Sequence, residues 1–185
     1  MKDSFQNMNT EERKKIYAEF MPDFYTDSFY MSKLDKVGFF TAPASTKFHG
    51  AYEGGLFDHS FLVAKYLVEL TEKLGLKWKR NESPYIVGMF HDFCKCGLYK
   101  AKADGSGYEY NTGLIIPGHG ERSVILVQQF FDVITDEELA CIRWHMGAYE
   151  TDTSLWKCYN AAVIKYANVL FTHTADMYVA KVLGV

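Results

Sequence analysis

The stretch GGLFDHSFLVAKYLVELTEKLG, residues 54–75, carries the clearest structural signal in the chain. Leu56, His59, Leu62, Val63, Tyr66, Leu67 and Leu70 recur at spacings of three and four, so they share one face of a helix. The spacing predicts a helix over 56–74, entered through the Gly54-Gly55 turn and ended by Gly75. His59 stands on the apolar face. An imidazole there is either a hydrogen-bonded core side chain or a ligand.

Downstream, SPYIVGMFHDF predicts a core helix over 84–93 with Pro84 near its start and His91-Asp92 at its end. In LYKAKADGSGYEYN, two polar-aromatic runs flank Asp104-Gly105-Ser106-Gly107, a hairpin pattern. This is the one β element expected, a possible lid over 98–111. Helices are predicted over 119–132, from the Thr135/Glu138 capping box to near His145, and over 158–181. Ala162, Tyr166, Val169, His173, Asp176 and Ala180 would form the inner stripe of the last one. Upstream, Asn9 with Glu12 forms a capping box for a helix running to about Phe20, and residues 21–55 read as short helices and loops. Six or seven helices and one surface hairpin make an all-α helical bundle.

The bulk numbers fit that frame. With 185 residues and 48% hydrophobic content, the chain can bury a sizeable core, which argues against disorder. The 14 Phe and 13 Tyr suit either a bulky core or a pocket that stacks a planar ligand. A net charge of −3 argues against a broad nucleic-acid footprint. No apolar run is long enough for a membrane span. Cys94, Cys96, Cys141 and Cys158 read as free thiols in a cytoplasmic protein, since no secretory segment opens the sequence.

Histidines and carboxylates on apolar stripes point to chemistry. Asp176 on an inner stripe is costly unless it is paired or binds a metal, although His173 one turn earlier could be its mate. His91-Asp92 follows the apolar IVGMF. Two such carboxylates and buried imidazoles neutralise one another's cost if a divalent cation lies between them.

The order His, His-Asp, His, His, Asp resembles that of the HD superfamily of metal-dependent phosphohydrolases. The matching segments are GGLFDHS with His59, MFHDFCK with His91, Asp92 and Lys95, PGHGERS with His119, IRWHMG with His145, and HTADMY with Asp176. The resemblance covers roughly residues 40–180. It looks closest to a bacterial and phage-associated branch carrying TAPASTKFHGAYEGGL, which is similar to the HD domain of a 3′-to-5′ exoribonuclease family. It implies one HD domain over 1–185, with a helical extension over 1–45 and a catalytic core over 46–181.

By that resemblance, His59, His91, Asp92 and Asp176 hold one metal, Asp92 bridges to a second, and His119 and His145 ligate the second. Imidazole and carboxylate suit Mn, Fe, Ni, Co or Zn. Cyclic-dinucleotide phosphodiesterases of this fold often carry two adjacent histidines where this chain has His145-Met146. Both one-metal and two-metal readings therefore stand, and with one metal His119 and His145 would contact phosphate. Lys95, a solvated lysine on the bland reading, would be catalytic beside Asp92 and contact substrate phosphate. His49 and Arg122 are further substrate-binding candidates; a surface loop residue and an exposed ion pair with its neighbours are their ordinary readings. Glu121 is open in the same way, and His173 reads as a packing residue.

The implied activity is hydrolysis of a nucleotide or short oligonucleotide phosphoester by water activated at one or two metals. Tyr99, Tyr108 and Tyr110 could stack a base. The same ligand set also serves HD-type mixed-valent di-iron oxygenases, and it would look alike in a non-catalytic nucleotide-sensing module.

Overall fold

The computed structural model describes residues 5–116, 118–150 and 152–185; the first four residues of the predicted N-terminal extension lie outside them. Helix α1 (Thr10–Phe20) opens on the capping box read from sequence: Asn9 Oδ1 accepts from Glu12 N at 3.0 Å, and Glu12 Oε2 accepts from Asn9 N at 2.8 Å. Helix α2 (Ser28–Lys36) is capped by Asp27. Helix α3 (Gly55–Leu74) is the long amphipathic one, ending at Gly75 in the left-handed conformation.

The Gly-Gly turn before α3 is required twice over. Gly54 has φ 81°, and a Cβ there would fall 2.3 Å from Arg13 Cζ; a Cβ on Gly55 would fall 2.1 Å from the Gly50 carbonyl oxygen. Helix α4 (Ser83–Phe90) crosses α3 just as closely, since a Cβ on Gly88 would lie 2.3 Å from Ala64 Cα. The hairpin follows as β1 (Tyr99–Ala101) and β2 (Tyr108–Tyr110), antiparallel, with Tyr99 opposite Tyr110 and Lys100 opposite Glu109. Then come α5 (His119–Phe130), α6 (Asp136–Arg143, behind the Thr135/Glu138 capping box), α7 (Trp156–Lys165) and α8 (Asn168–Met177). Among the described residues there are eight α-helices and no strand outside the hairpin, so the fold is all-α with a small β element. None of these helices is long and apolar enough to cross a membrane.

Most of the phenylalanine builds the core. Phe90 meets Phe131 at 4.9 Å between ring centroids, and Phe93 meets Phe130 at 5.1 Å, both edge to face. Phe39 and Phe57 extend the cluster toward α3.

Two helix readings need correction. The helix expected over 84–93 ends at Phe90; Asp92 leaves helical dihedrals (φ −100°, ψ 20°), and Phe93–Lys95 forms a 3₁₀ turn. That turn is bound sideways to α5: Cys94 N donates to Ser123 Oγ at 3.1 Å, and Arg122 donates to the carbonyls of Cys94 and Cys96. The helix expected over 158–181 is also broken. Tyr166 adopts φ −135°, and the chain re-enters a helix at Asn168, whose buried side chain donates to Lys77 O (2.8 Å) and Glu137 Oε1 (3.0 Å). These lateral bonds outweigh continuation of the helix ladder. After α8 a π-helical turn (Tyr178–Leu183) and Gly184 bring Val185 back into the core. The buried stripe of this segment is therefore Val169, Thr172, Ala175, Asp176 and Val179; Ala162 and Tyr166 lie on the far side of the break.

Candidate metal centre

Five different elements deliver the polar side chains. His59 comes from the second turn of α3, and His91 caps α4 with Asp92 immediately after it. His119 is the first residue of α5, His145 lies two residues beyond α6, and Asp176 sits in the last turn of α8. Asp92 stands at the middle. Its Oδ2 lies 3.6 Å from His59 Nε2 and 3.5 Å from His91 Nε2, while its Oδ1 lies 2.6 Å from His119 Nε2 and 3.5 Å from His145 Nε2. Asp176 Oδ1 closes the first side, 3.2 Å from His59 Nε2 and 3.8 Å from His91 Nε2. The residues form two groups, His59/His91/Asp176 and Asp92/His119/His145, each with its donor atoms within 4.8 Å of one another. All six residues read from sequence as ligands are brought together.

The hydrogen bonds behind the rings set what the front presents. His59 Nδ1 donates to the Val185 carbonyl and His91 Nδ1 to the Gly88 carbonyl, both at 2.8 Å. A neutral imidazole bound in this way offers only a lone pair at Nε2. Yet the two Nε2 atoms are 3.3 Å apart, with Asp176 Oδ1 beside them. Three acceptors converge, and only a proton or a cation between them resolves it. On the other side, Asp92 Oδ1 and His145 Nε2 are buried without a conventional hydrogen-bond partner, with His119 Nε2 2.6 Å from that carboxylate oxygen. Unsatisfied buried acceptors of this kind carry a large penalty. The donor set and its orphaned atoms fit a metal ion, and these buried His and Asp groups could hold one.

Charge is arranged to keep the carboxylates ionised. Burial opposes ionisation of Asp92, but the Lys95 ammonium and the imidazoles of His91 and His119 outweigh it and hold the carboxyl well below its usual range. Asp176 is also held low: burial opposes this, and the His59 and His91 rings prevail. Lys95 is buried, with Nζ 2.5 Å from Asp92 Oδ2; burial works against its charge, and Asp92 raises it overall. Burial lowers His119, against the pull of Asp92.

A cavity of about 640 Å³ opens over the centre, with Asp92, Asp176, His119 and Lys95 in its lining. His49 reaches its wall, its ring 5.0 Å from that of His59, and burial followed by the charges of His59 and Lys95 lowers its pKa to about 4. Tyr99 and Tyr110 also face the cavity, their rings 5.2 Å apart, so the hairpin forms part of the wall. Arg122 lines the cavity while its guanidinium holds the Cys94 and Cys96 carbonyls. Glu121 pairs with Arg143. His173 is no mate for Asp176: its Nδ1 bonds the His145 carbonyl oxygen at 2.7 Å, which supports the ligand loop from behind.

Four participants escaped the sequence reading. Arg13 and Asp58 form a buried pair behind His59, Val185 anchors the His59 ring, and Cys94 Sγ lies 3.0 Å from His119 Nδ1. Asp58 inside the apolar run GLFDHS could have been flagged by its cost; nothing local marks Val185. Comparison with protein-family models, curated proteins and solved structures finds no match to this chain.

Proposed function

We propose that this chain is a metal-dependent phosphohydrolase of the HD type, acting on a nucleotide or short oligonucleotide phosphoester. The observation that carries the reading is Asp92, whose two oxygens face two separate sets of imidazoles. That favours two ions, the first held by His59, His91, Asp176 and Asp92, the second by Asp92, His119 and His145. Divalent transition ions such as Mn, Fe, Ni, Co or Zn would supply an activated water and offset phosphate charge at this position.

The chain's own groups supply the rest. Lys95 Nζ, fixed against Asp92, adds positive charge to the cavity floor and attracts a phosphate oxygen. His49, neutral at pH 7, offers a hydrogen-bonding ring at the cavity wall. Tyr99 and Tyr110 line the cavity and would supply aromatic contact to a base, and a cavity of about 640 Å³ suits a nucleotide-sized molecule. The four free thiols suit the reducing cytoplasm expected from the sequence.

The test is product release from mononucleotides, cyclic dinucleotides, dinucleoside polyphosphates and short oligonucleotides, run anaerobically with Mn²⁺. Hydrolysis by the wild type and its loss in Asp92→Asn are expected. Equal turnover in the two proteins would overturn the reading. Turnover that required oxygen would assign the centre to oxygenase chemistry, and tight nucleotide binding without turnover would make it a sensor.

A further inference from the structure

Each of the four imidazoles turns Nε2 toward a carboxylate and has Nδ1 engaged behind it. For three of them the partner is a main-chain carbonyl: Val185 for His59, Gly88 for His91, and Ile142 for His145 at 2.6 Å. A carbonyl only accepts, so Nδ1 carries the hydrogen and Nε2 presents its lone pair. A strong acceptor at that position also raises the ligand's basicity. His119 departs from the pattern, because its Nδ1 faces Cys94 Sγ at 3.0 Å. A thiol donates and accepts, both weakly, so this contact neither fixes the hydrogen on Nδ1 nor polarises the ring as a carbonyl does.

Exposure separates His119 in the same direction. Its side chain is 31% exposed, whereas those of His59, His91 and His145 are fully buried. The sulfur is held opposite the ring on purpose-built supports. Cys94 N–H donates to Ser123 and its carbonyl accepts from Arg122, both within the first turns of the helix that begins at His119. The turn carrying Asp92 and the helix carrying His119 are thus locked at Cys94.

We propose that Cys94 is a positioning residue for His119, and that it makes the Asp92/His119/His145 group the weaker, thiol-dependent one of two metal positions. The inference rests on the two-ion reading above. The His59/His91/Asp176 group, with carbonyl-backed rings, is the tight position.

The test counts Mn²⁺ on the metal-depleted full chain by equilibrium dialysis and follows spin coupling between the ions by electron paramagnetic resonance. The wild type is expected to take two ions with a coupled signal. Cys94→Val, one methyl larger and without a polar hydrogen, should keep the first ion at wild-type affinity. Its second ion should bind about 10- to 100-fold more weakly, and the coupled signal should fade. Cys94→Ser, which can donate and accept, should recover part of the second site. If Cys94→Val does not fold, Cys94→Ala makes the same comparison. Unchanged binding of both ions in the apolar variant, equal weakening of both, or Cys94→Ser behaving like Cys94→Val would each overturn the proposal. A wild type that takes a single ion would overturn the two-ion reading and this inference with it.

Discussion

Arg13 grips the Asp58 carboxylate with two parallel hydrogen bonds, Nε to Oδ1 and Nη2 to Oδ2, each 2.9 Å long. The same guanidinium reaches the carbonyls of Met8 and Phe5, so one side chain ties the N-terminal segment to the first turn of α3, one residue before His59. Neither partner is more than 2% exposed. Burial pushes the Asp58 carboxyl up and the Arg13 guanidinium pulls against it. Removing one partner leaves a buried charge without compensation. Arg13→Ala is expected to lower stability in urea by about 3–5 kcal/mol. Replacing both residues by apolar side chains of similar size, Arg13→Met with Asp58→Leu, should recover most of the loss. A single substitution costing under about 1 kcal/mol would show that the pair is dispensable.

Gly88 is the contact point of α3 and α4, and its carbonyl holds the His91 ring. A methyl group there meets backbone rather than a flexible side chain, so the two helices must separate. Gly88→Ala should destabilise the fold by about 1–3 kcal/mol. Because α4 carries His91 and α3 carries His59, the same change should also weaken metal binding. Calorimetric titration with Mn²⁺ reads this directly; wild-type affinity at reduced stability would mean that the ligands do not depend on the crossing.

Acid should weaken the metal-free protein partly through His49. Its folded pKa of about 4 lies below the value of about 6.5 for an unfolded chain, so the unfolded state binds more protons between those limits. The contribution is fully present above about pH 6.5 and is lost as pH falls toward 4. His49→Gln should therefore flatten the dependence of the urea midpoint on pH in this window, by up to about 1 kcal/mol per pH unit. Parallel curves for the two proteins would place the acid sensitivity elsewhere.

Tyr110 stands across the hairpin from Tyr99 and faces the cavity. It contacts no candidate ligand side chain through its hydrogen bonds, so its removal should leave the centre intact. Tyr110→Ala is expected to raise KM for a nucleotide substrate by roughly tenfold, the scale of one lost aromatic contact, with metal content unchanged. A fall in metal content instead would make the hairpin a structural support of the centre.

The local periodicities of this chain were enough to find α1, α3, α6 and the hairpin, because each carries its own signal: a capping box, a three-and-four apolar stripe, or a Gly-rich turn between paired runs. They were also enough to single out His59, His91, Asp92 and Asp176, since an imidazole or carboxylate on an apolar stripe has to be compensated somewhere; His119 and His145 were nominated only by the family resemblance of the ligand order. What they could not contain was compensation supplied from far along the chain. The break at Tyr166 depends on Lys77 and Glu137 reaching Asn168, and the early end of α4 depends on Ser123 and Arg122. The orientation of His59 depends on a carbonyl 126 residues away, and that of His119 on a thiol 25 residues away. Sequence determined which groups are too costly to bury alone. Only tertiary structure decided what stands behind each ring, and hence which nitrogen faces the centre, because a hydrogen-bond partner is chosen by proximity in space.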